Sequence, residues 1–189
     1  MKEHNFVSSV DVGAEGEKII HVLLESLPSV KDVLYVGKDE AYQKRDIDFV
    51  VTTHDNDTLF YELKTEPKAA YTNNLFFETV SNQGYGTPGC FMYSEAHYWM
   101  SYVPQTGDLY VFPLEKCREF VLSIKDNYTL KKINNGVYYS AGYAIPISVV
   151  RGGVAHSHRN VRDFVDYVYI EADSRRGVQS SFQNVIWKI

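Results

Sequence analysis

The chain has 189 residues, of which 44% are hydrophobic, enough for one compact domain with a sizeable core. Its formal net charge of -5 argues against a protein that coats nucleic acid through bulk positive charge.

The sequence contains no apolar run of the roughly 20 residues that a membrane span needs, and its first residues lack the apolar stretch of a secretory signal. Cys90 and Cys117 have neither metal-ligand spacing nor a disulfide framework, so we expect buried, small hydrophobic side chains. These features predict a reduced, cytoplasmic protein with no membrane partner.

The N-terminal part predicts a helix followed by a strand. Apolar side chains recur at helical spacing from Gly16 to about Ser26, and Pro28 ends the pattern. A short strand comes next, at residues 33–37, and a polar stretch, residues 38–45, separates it from the following elements.

Two further strands predict an antiparallel hairpin. Residues 47–52 and 59–64 are rich in apolar and aromatic side chains. The residues between them, His54-Asp55-Asn56-Asp57, favour a turn because Asx side chains hydrogen-bond to their own backbone.

The rest of the chain predicts more strands and a second long helix. The expected elements are a strand at 75–80, a hairpin of 98–103 with 109–112, a helix at 114–124, strand-like pieces within 137–150, and a helix or strand at 159–169. This order is typical of an α/β or α+β domain on a central mixed sheet flanked by helices. We expect one domain over residues 1–189, with a core at about 13–122 and a C-terminal extension at about 123–189.

The informative residues are charged side chains inside apolar strands. A carboxylate among Ile, Phe and Val is costly to bury unless something pairs with it. The strand period of two puts Glu62 and Lys64 on one face and Leu63 on the other. Folding the hairpin about its turn brings Asp48 opposite residues 62–64, whereas a register slip of one residue would turn it to the other face.

A third carboxylate comes from the first helix. Glu17 shares one side of that helix with Ile20 and Leu24, at the margin of the face that should pack on the sheet. Carboxylate oxygens are ligands that Mg²⁺ prefers, and a bound metal can activate water and neutralise charge on a phosphate. A nearby lysine can orient the water, help to deprotonate it or stabilise the transition state.

These residues resemble the motif of the PD-(D/E)XK nuclease superfamily: Asp48, then Glu62-Leu63-Lys64 after a short hairpin, with Glu17 on a helix upstream. The resemblance covers roughly residues 13–122 and implies a restriction-endonuclease-like core in αβββαβ order. It implies a DNA endonuclease in which Asp48, Glu62 and Glu17 bind Mg²⁺, with Mn²⁺ as a substitute, and Lys64 is the catalytic lysine. The superfamily includes phage nucleases, so the implied role is recombination, replication or degradation of DNA in a bacterium or phage-infected host.

Several assignments stay open. Ile47 stands where the superfamily often has proline, and Asp46 is a rival for the Asp48 role. We prefer Asp48 because it lies within the apolar strand, whereas Asp46 lies in the polar approach. Glu78, another acid in an apolar strand, is a candidate for binding a second metal or holding the lysine. His21 is a candidate neighbour of the site.

Basic residues near the predicted site are candidates for contacts with DNA phosphates, and the alternative for each is a solvated surface charge. These residues are Lys38, Lys44, Arg45 and Lys68. Two other functions also remain open: a non-catalytic DNA-binding or assembly subunit with the nuclease fold, and a Holliday-junction resolvase acting as a homodimer.

Overall fold

The computed structural model describes residues 6–153 and 157–160. Its helices are α1 (Phe6–Glu25), α2 (Glu40–Gln43), α3 (Ala69–Thr72), α4 (Cys90–Tyr93), α5 (Leu114–Ile124) and α6 (Ile147–Gly153), with a 3-10 turn at Lys125–Asn127. Its strands are β1 (Val30–Tyr35), β2 (Phe49–Thr53), β3 (Thr58–Thr65), β4 (Asn74–Asn82), β5 (Thr87–Pro88), β6 (Tyr98–Val103), β7 (Asp108–Pro113), β8 (Leu130–Asn134), β9 (Tyr139–Pro146) and β10 (Ser157–Asn160). Among the helices described, none is long and apolar enough to cross a membrane.

The strands form two sheets. The larger has the order β1-β2-β3-β6-β7-β10, and the smaller has the order β5-β4-β9-β8. In the larger sheet β3 and β6 run parallel, and the other neighbouring strands run antiparallel. The expected mixed α/β class is therefore confirmed. The second sheet was not expected from the sequence, and it joins β4 to β8 and β9 from the predicted C-terminal extension.

The larger sheet lies between two hydrophobic clusters. Helix α1 packs on one face, where Leu23 and Phe49 are fully buried. The second sheet, α4 and α5 cover the other face, where Phe77, Trp99 and Cys117 are fully buried. Successive side chains of the central strands β6 and β7 enter different clusters, so these strands are apolar on both faces.

The predicted β2–β3 hairpin is confirmed. Phe49 pairs with Tyr61, and the Asp48 amide donates to the Tyr61 carbonyl at 2.9 Å, which extends the pairing to the residue before β2. Asn56 adopts a left-handed conformation in the turn, with φ of 65°. This register puts Asp48 next to Glu62 on the adjacent strand.

Other element predictions have mixed outcomes. The hairpin of β6 and β7 and the helix α5 are confirmed. The first helix begins at Phe6, ten residues before the predicted start. The polar stretch contains the short helix α2, which Asp39 caps by accepting from the Ala41 amide at 2.8 Å.

In the last third, the strand-like reading of residues 137–150 is correct for β9 but wrong for Ile147 onward, which forms α6. The β-branched residues of this segment favour a strand, but packing decides for a helix, because Val150 is fully buried in the core. Pro146 precedes the helix, a position that suits proline. The element predicted at 159–169 begins within β10, and its residues beyond 160 lie outside the described part of the chain.

Helix α1 approaches β3 very closely at Gly16. A Cβ at Gly16 would lie 2.2 Å from Thr65 Oγ1 and 3.3 Å from Thr65 Cβ, whereas a Cβ at Gly13 would meet nothing within 4 Å. The absence of a side chain at Gly16 therefore sets the distance between α1 and the sheet, beside Glu17.

We expect Gly13→Ala to stabilise the protein by up to about 1 kcal/mol, since alanine is the better helix former. Gly16→Ala should destabilise it despite the same gain in helix propensity, because Thr65 must move. Chemical denaturation of both variants measures the difference. Adding Thr65→Ala to Gly16→Ala should recover much of the loss, and equal stability of the two single variants would contradict this account of the contact.

Candidate active site

Asp48, which is half-buried, and Glu62, which is buried, form a carboxyl pair between β2 and β3. Asp48 Oδ2 accepts from the Leu63 amide at 2.8 Å, and the two carboxyl groups are hydrogen-bonded to each other. Glu62 is only 7% exposed. Burial, followed by the charge of Asp48, raises the pKa of Glu62 well above its ordinary value. Both effects disfavour the charged form of Glu62, because two carboxylates side by side repel each other and burial removes the water that would stabilise them.

Lys64 lies on the same face of β3 as Glu62. Its Nζ is 3.9 Å from the Sγ of Cys90, the first residue of α4. The negative charge of a Cys90 thiolate, followed by those of Glu62, Glu66 and Glu78, raises the pKa of Lys64, although burial opposes the shift.

Glu17 reaches the same corner from the α1 side of the sheet. Its Oε2 accepts a hydrogen bond of 2.5 Å from the Tyr35 hydroxyl, at the end of β1. Gly37 lies against both Tyr35 and Asp48: a Cβ there would be 2.7 Å from the Tyr35 Oη and 2.9 Å from Asp48 Oδ1. The charge of Glu17 contributes to the raised pKa of Asp48, after burial as the main cause. Tyr35 thus binds Glu17, and both Tyr35 and Asp48 lie beside Gly37.

Asp46 also faces the cluster. It has a left-handed backbone with φ of 53°, and its Oδ2 is buried with no hydrogen-bond partner among the described residues. The Tyr93 hydroxyl lies 3.4 Å from Oδ1. Burial raises the pKa of Asp46 to about 6, while Lys64 acts in the opposite direction. Asp46 and Asp48 were predicted as rivals, and the structure brings both to the same cluster.

Two glutamates complete the surroundings of Lys64. Glu78, which the sequence singled out, lies on β4, and its charge acts on Lys64 and Asp46. Glu66, which the sequence analysis missed, is 8% exposed, and its Oε1 accepts from the Phe76 amide at 3.2 Å. Extending the strand period from Glu62 through Lys64 by two more residues would have found it.

Helix α4 is fixed by Arg118 of α5. The guanidinium donates to the Phe91 carbonyl at 2.6 Å and to the Ser94 carbonyl, and it pairs with Glu115. These bonds hold the segment that places Cys90 beside Lys64. No local sequence pattern indicates this arrangement, because α4 and α5 are far apart along the chain.

The remaining candidates lie outside the carboxyl cluster. His21 packs its ring on Phe49 and lies 3.5 Å from Glu25, with no hydrogen bond to its Nε2 in the described part. Two of the basic candidates have acidic partners: Lys44 pairs with Glu40 at 2.7 Å, and Arg45 with Glu95 at 2.6 Å. The other two, Lys38 and Lys68, are exposed.

The donor chemistry of the cluster fits Mg²⁺. Within the described residues, no group of three or more His, Cys, Asp or Glu side chains forms a ready-made metal site. The oxygens of Asp48, Glu62 and Glu17 are nevertheless the hard ligands that this ion prefers. A divalent cation would relieve the repulsion between these carboxylates. The unpaired Asp46 oxygen, and the absence of a side chain at Gly37 beside Asp48, support this fit.

Comparisons with protein-family models, with curated proteins and with solved structures found no match to this chain. The function is therefore argued from the geometry of the cluster.

The titration of Glu66 predicts a pH dependence of stability. Burial raises the pKa of Glu66 to about 7, from an ordinary value of 4.5. The folded state then holds a proton that the unfolded state releases, so this group lowers the unfolding free energy as pH rises from about 4.5 to 7, by up to about 3 kcal/mol. Glu66→Gln keeps an acceptor for the Phe76 amide and removes the titration.

We therefore expect Glu66→Gln to raise the melting temperature in EDTA more at pH 8 than at pH 5, by several degrees. Scanning calorimetry at both pH values measures this difference. The control Glu119→Gln, which changes an exposed residue of α5, should shift the melting temperature equally at both. A Glu66→Gln effect that does not change with pH would show that Glu66 is not the group responsible.

Proposed function

We propose that this protein is a metal-dependent nuclease that hydrolyses phosphodiester bonds in DNA. In this proposal Asp48, Glu62 and Glu17 bind Mg²⁺, or Mn²⁺ in its place, and Lys64 is the catalytic lysine. The observation that carries it is the pair of carboxyl groups of Asp48 and Glu62 on neighbouring strands, with Lys64 on the same face of β3 as Glu62. Burying these charges costs folding free energy, and binding a cation and a phosphate would offset that cost.

We further propose that the chain is a member of the PD-(D/E)XK superfamily. The order α1, antiparallel β1-β2-β3, and β6 parallel to β3 supports the proposal, as do the positions of the acids and the lysine on β2 and β3. One feature differs from the expected αβββαβ order. The connection from β3 to β6 carries the strands β4 and β5 and the short helices α3 and α4, where that order has one helix.

The residues have separable roles in the proposed reaction. When bound, Mg²⁺ supplies an activated water and charge neutralisation at the phosphate. Asp48 and Glu62 would hold the ion, and the Leu63 amide keeps the Asp48 carboxylate oriented by donating to Oδ2. Because the pKa of Lys64 is raised, its ammonium is suited to donating hydrogen bonds to a phosphate oxygen or the attacking water.

The direct test is cleavage of plasmid, linear duplex, single-stranded and four-way-junction DNA in Mg²⁺, Mn²⁺ or EDTA. We expect cleavage with either metal and none in EDTA, and a loss of about 10²-fold or more for Lys64→Ala, since a single stabilising donor is typically worth that much. Lys116→Ala, at an exposed position of α5, is the matched control and should cut normally.

Two results would contradict the proposal at different levels. If the wild type cuts no substrate with either metal, the protein is not a nuclease, and a non-catalytic DNA-binding role is the better reading. If Lys64→Ala cuts as fast as the wild type, the assignment of the site is wrong. Cleavage confined to four-way junctions would identify a resolvase.

Metal binding can be tested without activity. A ligand that binds only the folded state at 100 times its Kd stabilises a protein by about 2.7 kcal/mol. We expect Mn²⁺ to raise the melting temperature of the wild type and to have much less effect on Asp48→Asn. Asp55→Asn, in the exposed turn of the same hairpin, should respond to Mn²⁺ like the wild type. An equal response from Asp48→Asn would exclude Asp48 as a ligand.

A further inference from the structure

Glu17 comes from the opposite side of the larger sheet to the other two proposed metal ligands. Helix α1 packs on the face that holds Phe49 and Leu63. Asp48 and Glu62 each precede one of these residues, so strand alternation directs their side chains to the other face. The Glu17 carboxylate can therefore approach theirs only at the end of the sheet, where β1 stops pairing with β2.

Tyr35, the last residue of β1, holds the Glu17 carboxylate at this place. Its hydroxyl donates to Glu17 Oε2 at 2.5 Å. This length is typical of a hydrogen bond from a hydroxyl to a charged carboxylate, which is roughly twice as strong as a bond between neutral groups. A glutamate side chain has several rotatable bonds, and ordering them costs conformational entropy. The bond to Tyr35 restricts this freedom before any metal binds.

The Tyr35 side chain is itself fixed and keeps its proton. Its ring packs on Phe49 with the ring centroids 5.5 Å apart, and the two residues pair across β1 and β2. Burial raises the pKa of Tyr35, and the hydrogen bond to Glu17 and the charges of Glu17 and Asp48 act in the same direction. The hydroxyl therefore remains a hydrogen-bond donor at neutral pH.

Gly37 leaves open the space between this hydroxyl and Asp48. A Cβ on Gly37 would lie 2.7 Å from Tyr35 Oη and 2.9 Å from Asp48 Oδ1. The two oxygens are therefore no further apart than the sum of these distances. Tyr35 thus lies beside two of the proposed metal ligands, bonded to one and close to the other.

We propose that Tyr35 is a positioning residue for metal binding, whose hydroxyl holds one oxygen of Glu17 and leaves the other oxygen to bind the cation beside Asp48. The inference rests on the proposed nuclease function, because that proposal makes Glu17 a metal ligand. In this role Tyr35 touches neither the metal nor the DNA. Partners that hold metal ligands in this way typically contribute about 10- to 100-fold to metal affinity or activity.

The test measures Mn²⁺ binding by isothermal titration calorimetry, without DNA. Tyr35→Phe removes the hydroxyl and keeps the ring that packs on Phe49. We expect the Kd of this variant for Mn²⁺ to be at least about tenfold weaker than that of the wild type. In a Glu17→Ala background the same substitution should change the Kd much less, because the carboxylate that Tyr35 holds is already absent.

Tyr98→Phe is the matched control. Tyr98 is half-buried against the same hydrophobic cluster as Tyr35 and stacks on Tyr61. It lies on β6, and the strands β2 and β3 separate β6 from β1. Tyr98→Phe should bind Mn²⁺ like the wild type.

Three results would overturn the inference. A purely structural role of Tyr35 would lower the melting temperature of Tyr35→Phe in EDTA and leave its Kd for Mn²⁺ unchanged. An equal loss of affinity in Tyr98→Phe would show that the effect is not specific to the hydroxyl bound to Glu17. An undiminished effect of Tyr35→Phe in the Glu17→Ala background would show that Tyr35 does not act through Glu17.

Cleavage assays separate this inference from the proposed function. We expect Tyr35→Phe to cut DNA with a raised KM for Mg²⁺ and a kcat close to that of the wild type. A nuclease that needs Lys64, with an unchanged Mn²⁺ Kd in Tyr35→Phe, would retain the proposed function and reject the positioning role. Mn²⁺ binding that depends on Tyr35 and Glu17, in a protein that cuts no DNA, would support the positioning role and reject the nuclease.

Discussion

The carboxyl pair of Asp48 and Glu62 is the feature on which the rest of the site depends. Two acids on adjacent strands share a hydrogen bond where water is largely excluded, and burial disfavours the charged form of both. Their neighbours are arranged to limit this cost. The Leu63 amide donates to Asp48, and the Lys64 ammonium lowers the pKa of both acids. Acidic side chains outnumber the single lysine in the cluster, and a bound cation would offset their negative charge.

Both layers around the larger sheet contribute to this arrangement. On one side, α1 comes close to β3 at Gly16, and the next residue, Glu17, reaches Tyr35 at the end of β1. On the other side, α4 and the second sheet enclose Lys64 with Cys90 and Glu78. The site is thus assembled from four separate parts of the chain, and the larger sheet fixes their positions.

The sequence predicted the parts of the site that depend on local periodicity. The period of two along β3 was enough to place Glu62 beside Lys64 on one face, and the Asx-rich turn was enough to place Asp48 on the neighbouring strand. The sequence did not predict the second sheet, because pairing between β4 and β9 depends on contacts far apart along the chain. The sequence also did not predict the contacts of three residues at the site, for the same reason: Cys90, Tyr35 and Arg118.

The choice between Asp46 and Asp48 illustrates the limit of pattern analysis. Polar surroundings made Asp46 look like a surface residue, but its left-handed backbone and the contact from Ser94 to its carbonyl turn it inward. Neither feature is visible in the strand pattern. The same reasoning predicted Cys90 as a small buried hydrophobe, which its burial confirms, and it did not foresee the contact with Lys64.

The central claim is that Asp48 and Glu62 are the ligands of a catalytic divalent cation. The most direct measurement is anomalous diffraction from crystals grown with Mn²⁺, for the wild type and for Glu62→Gln. We predict an anomalous peak in contact with both carboxylates in the wild type, and its loss or strong reduction in the variant. Well-diffracting wild-type crystals with no peak at this pair, or a peak that Glu62→Gln leaves unchanged, would contradict the account.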